Sequence, residues 1–326
     1  MKLKDYMYYW YRTYRMPHQK RNTQLVTLSL LENHIMQSDL AEKEVAMITA
    51  NDCQLFLTKE YFNGCKIRLK HINRIGDSLS AHSVTKMRQL LIAMFRQAMR
   101  EHIVTHNVAE DTEPIPIPWR ESSVFTPENQ RRFLEKTKHH RFHVAYVLMF
   151  FLGCRRSEVL GLSWDSIDFR RNILQIRQVL ILEGNHIVLR KQTKTRSSLR
   201  TIPFPKEIKS MLQEWRKLQR TESQAPGYHN EFNLVFTNKD GSPHNPSYFS
   251  RNFKATIKRL DFCSNELHVH SARHTWATNM IQLGIPITDV QSIGGWSRPD
   301  TLLNIYSHTV KDSQRKAIKK LYHEFH

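Results

Sequence analysis

The stretch IGGWSRPDTLLNIYSHT, Ile293 to Thr309, decides how the rest of the chain is read. A glycine pair and Trp296 close one segment. Ser297, Pro299 and Asp300 then form a helix start of the Ser-x-x-Asp kind, with proline near the first turn. Tyr306 falls more than two turns into that helix. A helix tyrosine is ordinarily a core residue with its hydroxyl tied to a neighbour. Trp296, at the mouth of the helix, brings one indole N–H donor. What raises Tyr306 above the other tyrosines must lie elsewhere in the chain.

Three upstream segments bear on it. In GCRRSEVLGLSW, Gly153 to Trp164, Arg155 follows a glycine break and stands at the entry of the next helix, where free N–H groups favour anions. Glu158 lies one turn on and can orient a guanidinium; a surface i,i+3 ion pair is the ordinary alternative. KQTKTRSSLRTIPF, Lys191 to Phe204, sets Lys194 among Thr, Ser and Arg residues beside a turn. Solvated hairpin lysines are common, so Lys194 means little alone. In HVHSARHTWATNM, His268 to Met280, His270 and Arg273 are three apart and share a helix face, an arrangement that suits a phosphate.

Composition points to the same ligand. The 326 residues carry 49 Lys plus Arg against 30 Asp plus Glu, a formal net charge of +19, which calls for a polyanionic partner. Nucleic acid leads and an anionic membrane surface comes second. A hydrophobic content of 40% supports real cores rather than disorder. The richest apolar run, FHVAYVLMFFLGC, breaks at Gly153 and is too short to span a bilayer. The N-terminus has no signal-peptide core. Cys53, Cys65, Cys154 and Cys263 show neither disulfide density nor metal spacing and read as reduced thiols in a cytoplasm.

Residues 1–107 read as helices. Tyr6, Tyr9, Trp10 and Tyr14 fall at helical spacing, as do Leu28, Leu31 and Ile35. Thr49 to Asp52 resembles a capping box ahead of a helix with Leu55 and Phe56. The clearest helix, SVTKMRQLLIAMFRQAMREHIV, has an apolar stripe of Met87, Leu90, Leu91, Met94 and Ala98. Lys86, Arg88, Arg96 and Arg100 lie off it, either as an ordinary solvated face or, given the overall charge, as a DNA-facing surface. Pro114, Pro116 and Pro118 mark residues 108–122 as an extended linker. Thr126 and Pro127 then cap the first helix of a second domain. Within it, β-branched residues between Ile173 and Pro205, with a Gly184-Asn185 turn, predict two or three antiparallel strands. NLVF predicts a short strand, and Asn245-Pro246 a helix entry. The fold expected is mainly α with a small antiparallel β-sheet.

Taken in order, GCRRSE, TKTRSSLRTIP, HSARHT and IGGWSRPDTLLNIYSH resemble the tyrosine recombinase, or phage integrase, family across nearly the whole chain. The resemblance implies a two-domain, C-shaped DNA clamp. A helical core-binding domain (1–107) and a linker (108–122) precede a catalytic domain (123–326) whose C-terminal tail is 307–326. The family's order Arg, Glu/Asp, Lys, His, Arg, His/Trp, Tyr falls on Arg155, Glu158, Lys194, His270, Arg273, Trp296 and Tyr306. Trp296 stands where many members have histidine. The activity implied is site-specific DNA recombination through a 3′-phosphotyrosine and a Holliday junction, with Tyr306 the nucleophile and Lys194 the general acid. No metal or cofactor is implied, because guanidinium groups supply the positive charge. Expected partners are double-stranded DNA with inverted-repeat core sites, a homotetramer formed on it, and an excision factor or DNA-bending protein. Localisation would be cytoplasmic, at the nucleoid. The small arm-binding module of many phage integrases is expected to be absent. Two rivals remain: a type IB topoisomerase with the same chemistry, and a catalytically silent regulator, against which the intact residue set argues. In the tail, Ala317, Ile318, Leu321 and Phe325 make an apolar stripe that would pack on its own domain or dock on a neighbouring protomer.

Overall fold

The computed structural model describes residues 1–66, 68–69, 72–118, 123–191, 199–262 and 266–299, with Leu302 and Tyr322. The chain divides into two units, Met1–Arg120 and Glu121–His326, and the division falls within the stretch of alternating prolines and polar residues.

The first unit holds α1 (Leu3–Trp10), α2 (Arg21–Leu30), α3 (Ala50–Asn63) and α4 (Ala81–Arg100). Helices α1 and α2 each run on into a wider π-helical turn, Tyr11–Arg15 and Leu31–Ile35. Thr49 caps α3 as its sequence suggests: its hydroxyl accepts from the Asp52 N–H at 3.2 Å, and the Asp52 carboxylate accepts from the Thr49 N–H at 3.0 Å. All five residues of the α4 stripe are buried, packed with Leu3, Tyr6, Met7 and Trp10 of α1. Tyr9 and Tyr14, spaced like Tyr6 and Trp10, are exposed instead. Of the charged positions off the stripe, Lys86, Arg96 and Arg100 are exposed as expected, and Arg88 is half-buried. Arg88 donates to the Thr112 hydroxyl at 2.8 Å and its carbonyl at 2.7 Å, and Arg96 pairs with Glu110 at 2.7 Å. They hold residues 107–112 against α4, where Asn107, Ala109 and Thr112 are buried. A short hairpin, β1 (Arg68–Leu69) with β2 (Ile72–Asn73), interrupts a region whose sequence reads as helical throughout.

The second unit begins with α5 (Pro127–Lys136), whose Thr126 hydroxyl accepts from the Asn129 N–H at 3.1 Å. Helix α6 (His143–Leu152) is apolar on nearly every side and lies in the core, where Tyr146 and Phe150 meet Phe133 and Phe253 ring to ring. Then come α7 (Arg156–Leu160), five short strands, α8 (Lys206–Glu222), α9 (Pro246–Arg259), α10 (Val269–Gln282) and α11 (Ile287–Gly294). Between Ile173 and Pro205 the described residues hold four strands, more than the expected two or three, and a fifth precedes them. β3 (Ile167–Asp168), β4 (Ile173–Ile176) and β7 (Arg200–Pro203) form one antiparallel sheet in that order, with Leu174 opposite Ile202 and Ile176 opposite Arg200. β5 (Gln178–Glu183) and β6 (His186–Lys191) form a separate hairpin that turns at Gly184-Asn185. The stretch NLVF makes only an isolated bridge rather than the expected strand, Leu234 with Ser163, and the next residue, Thr237, makes another with Pro243. Side chains from α8 take the carbonyls of this stretch: the Gln219 amide donates to the Leu234 carbonyl and the Trp215 indole to that of Val235, in place of a ladder. No helix among the described residues is long and apolar enough to cross a membrane.

Candidate active site

Gly153 sets the entry to the site. It ends α6 in the left-handed region, at φ 63°, which favours glycine. A Cβ there would also come within 2.4 Å of the Trp276 ring on α10. The chain can therefore turn tightly, bring α10 close and present Arg155 as the N-cap residue of α7. Arg155 donates from its backbone N–H to Glu158 Oε2 at 2.7 Å and from Nη1 to Oε1 at 2.7 Å. Its Nη2 reaches the Gly295 carbonyl at 2.6 Å. The pair is not a surface i,i+3 contact, since Glu158 has no exposed surface at all.

Glu158 has a second partner that sequence reasoning missed. Arg200, from β7, donates Nη1 to Oε1 at 2.9 Å and Nη2 to Oε2 at 2.8 Å, and its Nε reaches the Ile293 carbonyl at 2.6 Å. The carboxylate thus accepts four hydrogen bonds, its full complement. Burial alone would raise its pKa; the Arg200 hydrogen bonds and the charges of Arg200, Arg155 and Arg273 outweigh that and hold it down at about 2. A signal for Arg200 did exist. It shares a strand face with the buried Ile202, and a cation facing a core needs a partner.

Arg273, on α10, is 3% exposed. Its Nη1 donates to the Gly153 carbonyl and its Nη2 to that of Gly294, the latter at 2.6 Å. The guanidinium carbon sits 3.7 Å from the centre of the Trp296 ring, whose far neighbour, Trp276, stacks parallel at 6.1 Å and 7°. Trp296 thus meets Arg273 with its ring face, beyond the N–H donor its sequence position suggested. Burial, then the nearby Arg155 charge, pushes Arg273 down to about 9, so it stays protonated at neutral pH while short of negative charge. His270 lies one turn before Arg273, at the start of α10, with its ring reaching solvent. Lost hydration, then the charges of His268, Arg156, Arg273 and Arg155, lower its pKa below the usual histidine value. Cys154, between Gly153 and Arg155, is no rival nucleophile: it is buried, and burial pushes its thiol up to about 12.

Five of the seven expected residues therefore lie on α7, α10 and the turn after α11. Arg155, Glu158, Arg273 and Trp296 form one connected cluster, with His270 a helical turn from Arg273. Lys194, Asp300, Tyr306 and the tail stripe lie outside the described residues. Among the described residues, no group of His, Cys, Asp and Glu could hold a metal ion.

Residues 123–313 match the phage integrase family. The chain belongs to that family, and it is a site-specific recombinase, a DNA strand transferase of the tyrosine class. A "tyrosine recombinase XerC-like" protein of Caldanaerobacter subterraneus subsp. tengcongensis is 28% identical over 308 residues, covering 89% of this chain and 74% of that one. The ICEBs1 integrase of Bacillus subtilis is 25% identical over 258 residues, covering 77% and 68%. In fold, the chain is similar to the Tn1549 transposon integrase solved in complex with a circular intermediate DNA, with a TM-score of 0.79 at 20% identity over 98% of this chain and 99% of that one.

Proposed function

We propose that Arg155, His270 and Arg273 bind the scissile phosphodiester, that Tyr306 attacks it, and that Lys194 protonates the leaving group. A free phenol, with pKa near 10, is a poor nucleophile at neutral pH; a dense cationic site makes its phenolate easier to form. The phenolate oxygen forms a bond to phosphorus, and the bond from phosphorus to the 5′-oxygen breaks. Lys194 gives that oxygen a proton and releases a 5′-hydroxyl. The product is a 3′-phosphotyrosine, which a 5′-hydroxyl from another strand reseals without an external energy source. Guanidinium groups of Arg155 and Arg273 hold the non-bridging oxygens, and the neutral His270 ring adds a donor. Glu158 orients Arg155, and Trp296 orients Arg273.

The observation that carries this reading is the tie between the phosphate clamp and the chain leading to the nucleophile. Arg155 and Arg273, from distant segments, grip the consecutive carbonyls of Gly295 and Gly294, immediately before Trp296. Lys194 and Tyr306 fall within the matched residues 123–313. The test is to trap the protein on a nicked duplex, from which the cut fragment diffuses away. A covalent adduct that survives denaturing electrophoresis and maps by peptide mass to Tyr306 is expected; an adduct on another residue, or none, would overturn the assignment.

The same proposal extends to a mobile element's integration and excision. Relatives and neighbours include the ICEBs1 integrase and a transposon integrase. The basic chain would act as a tetramer on two inverted-repeat core sites, exchanging strands in two steps through a Holliday junction. The first unit would be the core-binding domain, and an excision factor or bending protein would set direction. Joining of two separate duplexes supports the recombinase; relaxation of supercoils without joining would favour the topoisomerase reading.

A further inference from the structure

We infer that Arg200 is a positioning residue for strand cleavage, acting through Glu158 and the C-terminal end of α11 rather than by touching DNA. The inference rests on the phosphodiester site proposed above.

The argument begins with the end of α11. The last carbonyls of a helix have no partner within it and carry the negative end of its dipole. Here the accounting closes with three arginines. The Gln291 carbonyl accepts from the Gly295 and Trp296 N–H groups, and that of Ser292 from Gly295. The next three carbonyls, Ile293, Gly294 and Gly295, accept from Arg200, Arg273 and Arg155 at 2.6 Å each. Two of those arginines are the proposed phosphate ligands. The third differs from them in burial and in partner. The Arg200 side chain is 6% exposed and spends both terminal nitrogens on Glu158, whereas the Arg155 side chain is one-third exposed and spends only one.

That difference assigns the roles. A buried carboxylate with one cation beside it would draw that cation fully into a two-pronged pair. Arg200 fills both Glu158 oxygens from one side. Arg155 therefore takes a single side-chain contact to Glu158 and keeps other N–H groups of its guanidinium for a phosphate. The Nε of Arg200 meanwhile fixes Ile293, one residue ahead of the carbonyls that Arg273 and Arg155 hold. One residue thus sets the angle of Arg155 and the position of the turn that runs into Trp296. Lysine cannot replace it, because a single ammonium does not reproduce the planar fork plus the Nε donor.

The test uses the full chain with Arg200→Lys and Arg200→Met, alone and combined with Glu158→Gln. Misplacing a reacting group by about 1 Å costs on the order of 10²-fold in rate, and that slowing is expected in single-turnover adduct formation on the nicked duplex, with DNA affinity unchanged. Because the effect passes through Glu158, Arg200→Met with Glu158→Gln should be no slower than Arg200→Met alone. Amide hydrogen exchange at Gly295 and Trp296 should quicken in both Arg200 variants, while exchange in the middle of α6 stays as in the parent. Parental cleavage rates, slowing that multiplies with Glu158→Gln, or unchanged exchange at Gly295 and Trp296 would each overturn the inference. If Arg200→Met loses its thermal transition, Arg200→Lys decides; if both do, Arg200 is a folding residue only and the inference fails. A parent chain that forms no adduct would sink the phosphodiester reading instead, and the exchange measurement would still decide whether Arg200 holds the end of α11.

Discussion

Replacing Glu158 by glutamine keeps the side chain's shape and removes its charge from between Arg155 and Arg200. The size of the effect follows from the carboxylate's own titration. Its pKa is 4.5 when free and about 2 in the fold, so the folded state favours the ionised form. Each pKa unit corresponds to about 1.4 kcal/mol, which makes the charge worth about 3 kcal/mol at neutral pH. A depressed carboxylate stabilises fully above its unfolded pKa and loses that contribution as pH falls through the folded one. The penalty of Glu158→Gln should therefore stand at about 3 kcal/mol at pH 7 and shrink to about 2 kcal/mol by pH 3.5. The value at pH 7 falls at the low end of the usual cost, about 3–5 kcal/mol, of removing one partner from a buried ion pair. Urea unfolding of parent and variant at each pH, followed by tryptophan fluorescence, measures it, because Trp164, Trp215, Trp276 and Trp296 are all buried in the second unit. Equal midpoints at pH 7, or a gap that does not narrow on acidification, would refute the account of Glu158 as a charged, buried organiser.

Tyr306→Phe should bind DNA as the parent does and form no adduct on a nicked duplex in denaturing electrophoresis. Lys194→Ala should cleave ordinary DNA slowly and recover on a 5′-bridging phosphorothiolate, whose sulfur leaves without a proton; equal slowing on both substrates would reduce Lys194 to a phosphate contact. His244 is buried edge-on against Phe142, and burial, then the Arg141 charge, pushes it down to about 4. Its folded pKa lies below the unfolded 6.5, so stability is complete above that value and falls as the pH drops, by about 2 kcal/mol at pH 5, a slope that His244→Gln should reduce in urea titrations. Deletion after Val310 should spare binding to one site and remove cooperative assembly on paired sites in gel-shift titrations; retained cooperativity would make the tail a local brace.

What could be read from the sequence was local or periodic. The α4 stripe repeats every three or four residues, the Thr49 and Thr126 caps and the Asn245-Pro246 entry each depend on residues within one turn, and all formed as expected. The ordered set of Arg155, Glu158, His270, Arg273 and Trp296 was legible only through the family resemblance, each residue being weak alone, and four of the five meet in one cluster. What escaped reading depends on contacts between distant segments. Nothing near Arg200 says that its partner lies 42 residues earlier. Nothing in NLVF says that Trp215 and Gln219 will take its carbonyls. The stacking of Trp296 needs Trp276, which comes from another helix. The charged positions off the α4 stripe divide: Lys86, Arg96 and Arg100 are exposed, as a solvated or DNA-facing face requires, whereas Arg88 is half-buried and ties down Thr112.

The charge balance of the cluster bears on why it should accelerate the reaction rather than merely hold DNA. Arg155 and Arg200 pair with one carboxylate, Glu158, and Arg273 binds only backbone carbonyls beside them, so three cations share one anion and two positive charges are left uncompensated. Burial first, and then the Arg155 charge, depress the pKa of Arg273, so part of that depression reflects the excess. In the proposed reaction a bound phosphodiester would bring one negative charge and satisfy half of it. Attack by a phenolate would add a second on the same oxygens, so the electrostatic match would be completed at the pentacoordinate stage and not in the ground state. Stabilisation that grows along the reaction raises the rate, whereas equal stabilisation of both states would only tighten binding. Since Trp296 and the carbonyls of Gly294 and Gly153 already hold Arg273, little reorganisation remains to be done when that charge develops.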